Sequence, residues 1–188
     1  MKGLALLFKF MTRLPFPGGK TFDSKALGKG MKWFPIVGLV IGIINLAVAM
    51  VLETFIPSPI LMAIILVTLD VIITGGLHLD GLADTFDGIF SYRSKQKMLE
   101  IMKDSRVGTN GVLVLILYFI FKVAFLVETS ELFGINQGVI MLIVPILARI
   151  NSVVNCAFEP YARATGMGKT FVDNTDKIGL LISYITVT

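Results

Sequence analysis

Four aspartates lie close together in a short, glycine-rich stretch of an otherwise apolar sequence. They are Asp80, Asp84, Asp87 and Asp104. If residues 78–90 form a helix, the first three fall at i, i+4 and i+7 and share one face. Carboxylates placed in this way repel one another unless a cation lies between them, and Mg²⁺ takes such oxygen ligands, usually together with substrate phosphates. The spacing therefore predicts a Mg²⁺ site with these four aspartates as metal ligands.

A basic group follows the aspartates along the chain. Its members are Arg93, Lys95, Lys97, Lys103 and Arg106. Acidic groups that hold a metal, beside basic groups that hold phosphate, are typical of metal-assisted phosphoryl transfer. We expect Lys103, Arg106 and Arg93 to bind a diphosphate. The two arginines are preferred for bidentate contacts with phosphate, because their guanidinium groups are planar. Lys95 and Lys97 fit contacts with lipid head groups better.

A simpler interpretation of this stretch is a solvated charged loop between two membrane helices. Its glycines argue against that interpretation, because backbone without Cβ flanks the charged positions and allows a ligand to approach closely. They are Gly75, Gly76, Gly81, Gly88, Gly108 and Gly111. For Asp87 and Asp104, a helix-capping or salt-bridge role is the alternative to metal binding. The ion-pair partner of Asp104 would be Lys103 or Arg106.

A phosphoryl transfer also needs a group that accepts the proton of the attacking hydroxyl. His78 is the only histidine and lies two residues before Asp80. It is one candidate for this base, and an aspartate such as Asp80 or Asp84 serves equally well. The simpler interpretation of His78 is a polar group at the membrane boundary. The candidate catalytic residues are therefore Asp84, Asp80 and His78.

The composition indicates an integral membrane protein. Of 188 residues, 55% are hydrophobic and only 16% are charged, with a mean hydropathy of +0.82. Soluble domains carry about 25% charged residues. The single cysteine excludes an internal disulfide, and the single histidine excludes a multi-histidine zinc site. The net charge of +4 is dispersed along the chain, which does not indicate nucleic-acid binding.

Long apolar runs predict membrane helices. They are Ile36–Leu52, Pro59–Leu77, Gly111–Val127, Gly138–Val154 and the shorter Ile178–Thr188. A run of 17 residues spans about 26 Å as a helix, close to the thickness of a hydrocarbon core. The sequence therefore predicts one all-α domain, residues 1–188, folded as a polytopic transmembrane bundle. Asp70, Lys122 and Arg149 lie inside apolar runs, and we expect them to pair with one another.

The basic residues predict the orientation of the bundle. Residues 1–35 hold seven Lys or Arg, 78–110 hold five and 158–177 hold three, whereas 53–58 and 128–137 hold none. Basic residues concentrate in segments that face the cytoplasm. The alternation predicts a multi-pass protein of the bacterial or archaeal cell (inner) membrane. Its N-terminus and aspartate motif face the cytoplasm.

The N-terminal segment predicts an amphipathic helix. Lys2, Lys9 and Arg13 share one helical face, apolar residues surround the rest, and Pro15 and Pro17 end the segment. An interfacial or re-entrant helix fits this pattern better than a signal peptide does, because no small-residue cleavage site follows. A helix packed into the bundle is the alternative.

Five sequence segments resemble one known family. HLDGLADTFDG and MLEIMKDSRVGTNG contain the aspartates, FMTRLPFP and WFPIVGLVIG precede them, and YARATGMGKTF follows. Together and in this order, they resemble cobalamin synthase, the adenosylcobinamide-GDP ribazoletransferase family. The resemblance covers nearly the whole chain.

The resemblance implies a membrane enzyme of vitamin B12 assembly that requires Mg²⁺. Members of this family transfer the adenosylcobinamide phosphate group of adenosylcobinamide-GDP to α-ribazole or its 5′-phosphate, and they release GMP. The resemblance also supports phosphate binding by Arg13 and by Arg163 and Lys169, which flank the small glycine-rich loop at Gly166 and Gly168. The choice between α-ribazole and its phosphate stays open. Because members are usually longer, we expect this chain to be C-terminally truncated relative to the family. If its short last segment is the true end of the protein, we expect it to be weak or inactive as an enzyme.

Two other functions fit parts of the sequence. CDP-alcohol phosphotransferases, which act on lipid head groups, also use an aspartate-rich helix, but their pattern places Arg directly after the alanine, where this chain has Asp84. A polytopic transporter would use Asp70, Lys122 and Arg149 as its charged pathway. However, a transporter concentrates its acidic groups near mid-membrane. Here the motif carboxylates follow the end of an apolar run.

The orientation is tested by cysteine labelling. Cysteines introduced at Ser94 and Ser130, in a chain that lacks Cys156, are expected to react with a membrane-impermeant maleimide from opposite sides. The reason is that Ser94 lies in a basic segment and Ser130 in a segment without basic residues. Intact cells and inverted vesicles give the two accessibilities. Labelling of both cysteines from the same side contradicts the orientation.

Overall fold

The chain forms a bundle of helices. The structure, a computed structural model, describes residues 2–17 and 23–186. These residues form ten α-helices, a 3₁₀ turn at Met31–Trp33 and no β-strand, which confirms the all-α prediction. The helices are α1 (Lys2–Met11), α2 (Ser24–Lys29), α3 (Phe34–Leu52), α4 (Pro59–Thr74), α5 (Leu77–Ile89), α6 (Lys95–Ile101), α7 (Thr109–Phe133), α8 (Gln137–Phe158), α9 (Met167–Asn174) and α10 (Lys177–Ile185). Met1, Lys20 and Thr188, which belong to the first and last predicted segments, lie outside the described residues.

Three helical segments in the described part are long and apolar enough to cross a membrane. They are Met31–Leu52, Thr109–Phe133 and Gln137–Phe158. Their outer surfaces carry exposed apolar side chains such as Ile43, Ile120 and Leu147. A surface of this kind is stable in lipid and costly in water. The structure thus confirms a multi-pass membrane protein.

The predicted run after Pro59 is divided by a sharp bend. Helices α4 and α5 meet at an angle of 92° and count as one further crossing only if they are taken together. Gly75 and Gly76 form the bend with φ of 64° and 73°. Residues other than glycine rarely adopt a left-handed backbone conformation, and two in succession are rarer still. Since α5 turns nearly perpendicular to α4, it lies outside the crossing helices, across one end of the bundle.

Helices α3 and α8 form the central contact of the bundle. Gly38 and Gly42 of α3 lie against the backbone of α8, so that an added Cβ would overlap the carbonyl oxygens of Pro145 and Leu142. Small residues at a crossing point allow two membrane helices to approach closely and gain dispersion contacts. This pair therefore provides the frame around which the other helices pack.

The N-terminal helix packs into the bundle. Leu7, Phe8 and Met11 of α1 are buried in one core cluster with the start of α3, the end of α4 and Phe171 of α9. Lys9 lies on the opposite, exposed face. The contacts of α1 therefore match the alternative of a helix packed into the bundle. Contact of the same helix with the membrane interface stays a prediction. A second cluster, around Ala63, Leu66 and Met141, joins α3, α4, α7 and α8.

Candidate active site

The aspartate motif lies on α5, as the sequence predicts. This helix spans Leu77–Ile89, and the Gly75–Gly76 bend directs it away from α4. The side chain of Arg13 lies over Gly75, where a Cβ would overlap the guanidinium Nε. The backbone N–H of Arg13 donates to the carbonyl oxygen of Ile73 at 2.7 Å. Arg13 is therefore placed beside the start of α5, next to the motif with which the sequence associates it.

Asp87 connects α5 to the first turn of α7. Its two carboxylate oxygens accept hydrogen bonds from the backbone N–H groups of Gly108, at 2.7 Å, and Gly111, at 2.8 Å. An added Cβ at either glycine would overlap the carboxylate. A negative group at a helix N-terminus satisfies free N–H groups and interacts favourably with the helix dipole. Asp87 thus has a structural role, and these two glycines allow the approach of Asp87.

Asp80 and Asp84 differ from Asp87 because neither side chain has a hydrogen bond or ion pair in the described part of the chain. Burial raises the pKa of Asp84, and the negative charges of Asp80 and Asp87 raise it further, whereas Arg163 acts in the opposite direction. The two carboxylates, one helical turn apart, therefore have free oxygens and an unfavourable mutual charge.

These two aspartates fit a divalent cation. Among the described residues, no group of three or more His, Cys, Asp or Glu side chains is arranged to hold a metal ion. The four predicted ligands are therefore not assembled into one cluster. However, Mg²⁺ is usually held by one or two carboxylates together with substrate phosphates and water. The free oxygens of Asp80 and Asp84 meet that requirement, whereas metal binding by Asp87 and Asp104 stays a prediction that the geometry does not favour.

Asp104 pairs with a neighbouring arginine. Arg106 Nη2 donates to Asp104 Oδ2 at 2.6 Å, and Arg106 Nε donates to Oδ1 at 3.0 Å. These hydrogen bonds lower the pKa of Asp104 to about 2. The Asp104–Arg106 ion pair, given above as the alternative to metal binding by Asp104, is thus present. The side chains of Arg93 and Lys103 are exposed, and neither has an ion pair within residues 2–17 and 23–186.

The late glycine-rich loop contributes one arginine to this region. Arg163 Nη2 donates to the carbonyl oxygen of Leu99 on α6 at 3.2 Å, and its charge acts on Asp84. Lys169 instead pairs with Asp173 on its own helix at 3.0 Å. Gly166 and Gly168 lie against the ring of Tyr161, where a Cβ would collide. Packing on Tyr161 accounts for these glycines without a bound phosphate.

His78 lies at the start of α5 and lines a cavity between α4, α5, α7 and α8. Its ring centroid is 6.4 Å from that of Phe34. The same cavity contains Asp70 and Lys122, whose Oδ2 and Nζ are 2.7 Å apart. The predicted pairing is thus confirmed for these two residues. It does not include Arg149, which forms no ion pair with any described residue.

Tyr118 is the residue of this region that the sequence reasoning missed. Lys122 Nζ lies 5.4 Å from the centroid of its ring, and both side chains line the cavity. A lone tyrosine in an apolar run carries little signal. Its position one helical turn before a membrane-buried lysine is the clue that was available.

Comparisons with known proteins agree with the resemblance. The family model described as cobalamin-5-phosphate synthase matches residues 3–188. A relative from Fusobacterium nucleatum, named adenosylcobinamide-GDP ribazoletransferase, is 51% identical, over 98% of this chain and 68% of the relative. Relatives with the same name from Alkaliphilus oremlandii and Acetivibrio thermocellus are 42% and 43% identical, over 93% and 92% of this chain and 68% of each relative. No solved structure matches the chain.

Replacing Asp87 tests its structural role. Asp87→Ala leaves the N–H groups of Gly108 and Gly111 without an acceptor, and we expect a loss of about 1–3 kcal/mol in the free energy of unfolding. Glu100→Ala, which removes a carboxylate from an exposed ion pair with Lys97, is the control. We expect that change to cost less than about 1 kcal/mol. Thermal unfolding in detergent gives both values, and equal losses contradict the role of Asp87.

The raised pKa of Asp84 predicts how stability depends on pH. The folded protein holds this proton to higher pH than the unfolded chain does, so ionisation of Asp84 at neutral pH reduces stability. With a chelator present, Asp84→Asn is therefore expected to melt at a higher temperature than the parent at pH 7.5. The difference should vanish below the ordinary pKa of 3.8.

Magnesium provides the control for this comparison. Added Mg²⁺ is expected to raise the melting temperature of the parent and to leave that of Asp84→Asn unchanged, because the variant lacks one of the two free carboxylates. A lower melting temperature for Asp84→Asn in chelator at pH 7.5 contradicts the electrostatic account of this helix.

Proposed function

The chain belongs to the cobalamin-5-phosphate synthase family, and we propose that it catalyses the reaction named for its relatives. In this reaction, the adenosylcobinamide phosphate group of adenosylcobinamide-GDP is transferred to α-ribazole or α-ribazole 5′-phosphate. The products are GMP and adenosylcobalamin or its 5′-phosphate. The observation that carries the proposal is the pair of free carboxylates, Asp80 and Asp84, on a helix at the end of a membrane bundle.

The reaction is a displacement at phosphorus. A hydroxyl oxygen of the acceptor forms a bond to the phosphorus next to cobinamide, while the bond from that phosphorus to the oxygen of GMP breaks. Negative charge develops on the transferred group and on the leaving GMP. The site must therefore neutralise charge, hold the diphosphate and accept one proton from the hydroxyl.

The residues of α5 and its neighbours divide these tasks. Asp80 and Asp84 would hold Mg²⁺, which supplies positive charge to the diphosphate when bound. Arg13 and Arg163 lie at the start of α5 and beside Asp84, where they can bind phosphate oxygens. Arg106, Lys103 and Arg93 are exposed on the same stretch and are assigned to the guanosine diphosphate end. Lys169, paired with Asp173, is a more distant candidate.

Proton removal is assigned to His78. Its ring lies on α5 two positions before Asp80, at the border between the aspartates and the cavity. An acceptor bound in the cavity would thus have its hydroxyl near both the imidazole and the metal-binding carboxylates. Asp80 or Asp84 remains the alternative base, since a carboxylate near Mg²⁺ can accept the same proton.

The proposed location of the reaction is the cytoplasmic face of the cell membrane. The basic segments support this orientation, because they alternate along the chain with segments that hold no basic residue and would therefore lie on one side of the membrane. Helix α5 bends away from α4 by 92°. This bend supports the same location, because soluble nucleotide substrates would reach its aspartates from the cytoplasm. Family membership favours this transferase over a lipid-headgroup phosphotransferase or a transporter.

The direct test is product formation. Purified chain in lipid nanodiscs is incubated with adenosylcobinamide-GDP, α-ribazole or its 5′-phosphate, and Mg²⁺, and GMP is measured by chromatography. We expect GMP release that stops when the Mg²⁺ is chelated. The absence of GMP with folded protein and both acceptors contradicts the proposal for this chain.

Two aspartates with different surroundings are expected to give different defects. Asp84→Asn should reduce GMP release by several powers of ten, because it removes a metal-binding carboxylate. The side-chain volume is nearly unchanged by this substitution. Asp70→Asn should mainly reduce the folded yield in detergent, because it leaves Lys122 unpaired inside the bundle. Near-normal turnover by Asp84→Asn at ordinary Mg²⁺ concentrations contradicts the assignment of the metal site.

A further inference from the structure

Tyr92, in the turn between α5 and α6, has a strained backbone conformation. Its φ is 51°, and within the described part of the chain it is the only residue other than glycine with a positive φ. Bulky residues rarely adopt this left-handed conformation, which glycine or asparagine ordinarily supplies at the end of a helix. The turn is fixed by Ser91, whose N–H and Oγ donate to the carbonyl oxygen of Gly88 at 3.3 Å and 2.6 Å. Backbone strain of this kind clusters at functional sites, so the side chain that is kept at this position needs an explanation.

The ring of Tyr92 projects away from the protein. It is 85% exposed, and its hydroxyl has no hydrogen bond to any residue that the structure describes. Its ring makes an edge contact with Phe90, with the centroids 6.4 Å apart and the planes at 89°. Phe90 in turn stacks on Phe86, with the centroids 5.4 Å apart. An edge contact covers at most one face of a ring, so the other face of Tyr92 is available for stacking.

The ring lies near the groups assigned to the diphosphate. Asp84 is about 8 Å from the end of α5 along the helix axis, and Tyr92 comes three residues after that end. Arg93 follows Tyr92 directly, and Lys103 follows Met102, whose side chain packs against α5. The side chains of both basic residues are exposed. A nucleotide whose diphosphate lies between Asp84 and these cations therefore has its base within reach of Tyr92.

A nucleobase matches an exposed aromatic ring of this kind. Every base has a flat π-face, and stacking on a protein ring stabilises it without any hydrogen bond. Tyrosine is also common where a protein meets the membrane interface. An interfacial tyrosine, however, requires neither a strained backbone nor a position beside phosphate-binding groups. The surroundings of Tyr92 thus favour a nucleotide over a lipid.

We propose that the ring of Tyr92 stacks on the guanine base of adenosylcobinamide-GDP. The proposal rests on the function proposed above and assigns the nucleoside end of its donor substrate. Asp80 and Asp84 would hold the diphosphate through Mg²⁺, and Arg93 and Lys103 would flank it. The base then lies beyond the end of α5, on the open face of Tyr92, and leaves the protein with GMP after the transfer.

Binding of two diphosphates tests this contact. The purified chain in phosphatidylcholine nanodiscs, with Mg²⁺ present, is titrated calorimetrically with GDP and, separately, with inorganic pyrophosphate, which lacks the base. We expect Tyr92→Ala to weaken GDP binding by about 5-fold to about 150-fold, the range that base–aromatic stacking provides. Pyrophosphate binding should stay at its parent value, and Tyr92→Phe should retain GDP binding. Unchanged GDP affinity in Tyr92→Ala, or an equal loss for both ligands, overturns the proposal.

Replacement by glycine separates binding from folding. Glycine adopts a φ of 51° without steric cost, whereas alanine keeps the strain. Tyr92→Gly should therefore melt at a higher temperature than Tyr92→Ala and bind GDP equally weakly. If Tyr92→Gly binds GDP as tightly as the parent does, the conformation of the turn determines the affinity, and the proposal is overturned.

Phe55→Ala is the matched control. It removes an aromatic ring that is 76% exposed, from the segment before α4, at the end of the bundle opposite α5. The affinity for GDP should stay at its parent value in this variant. A loss as large as that of Tyr92→Ala would show that the effect is not specific to the turn after α5, and it overturns the proposal.

Contact with lipid is tested by fluorescence. Tyr92→Trp, in a chain that also carries Trp33→Phe, places the single tryptophan in the turn. We expect GDP to quench its emission, because indole stacks on the base. Quenching by brominated phosphatidylcholine without any response to GDP overturns the proposal in favour of a membrane contact.

Turnover separates this proposal from the transferase assignment. If GMP is never released but the affinity for GDP depends on Tyr92 as expected, the transferase assignment fails and the assignment of Tyr92 holds. If GMP is released and the KM for adenosylcobinamide-GDP is the same in the parent and Tyr92→Ala, only the assignment of Tyr92 fails.

Discussion

The contact of Asp87 with the first turn of α7 is the interaction on which the site depends. Helix α5 leaves α4 through two left-handed glycines, and nothing in that bend alone fixes its direction. The hydrogen bonds from Gly108 and Gly111 to the carboxylate fasten the far end of α5 to a long membrane helix. Because they join residues 21 and 24 positions apart, they set the position of the whole aspartate helix. Asp87 thus holds Asp80 and Asp84 at the end of the bundle.

Differences in hydrogen-bond partners explain how four similar aspartates can act differently. The oxygens of Asp87 are used by backbone donors, and those of Asp104 by Arg106, so both charges are already compensated. Asp80 and Asp84 have no such partners in the described residues, and the pKa of Asp84 is raised by burial and by its acidic neighbours. A bound cation would relieve the electrostatic repulsion between these carboxylates and so stabilise the site.

The sequence was sufficient for the long apolar helices and for the helix that carries three of the aspartates, because apolar length and i, i+4 spacing are local properties. It predicted α3, α7 and α8 and placed Asp80, Asp84 and Asp87 on one helix. It was not sufficient for partners that are distant along the chain. The sequence indicated that Gly108 and Gly111 allow a ligand to approach, but the group that contacts them is the carboxylate of Asp87. Gly166 and Gly168 pack against the ring of Tyr161. Which of Asp70, Lys122 and Arg149 pair also depends on helix rotation, which composition does not determine.

The central claim is that Asp80 and Asp84 together hold the divalent cation of a phosphoryl-transfer site. The most direct measurement is Mn²⁺ binding, followed by electron paramagnetic resonance on the purified chain in nanodiscs. The Asp80→Asn/Asp84→Asn double variant is compared with Asp104→Asn. The account predicts one Mn²⁺ site, whose affinity for Mn²⁺ increases when adenosylcobinamide-GDP is added. That site is absent from the double variant and present in Asp104→Asn. Equal Mn²⁺ binding by the parent and the double variant would contradict the account.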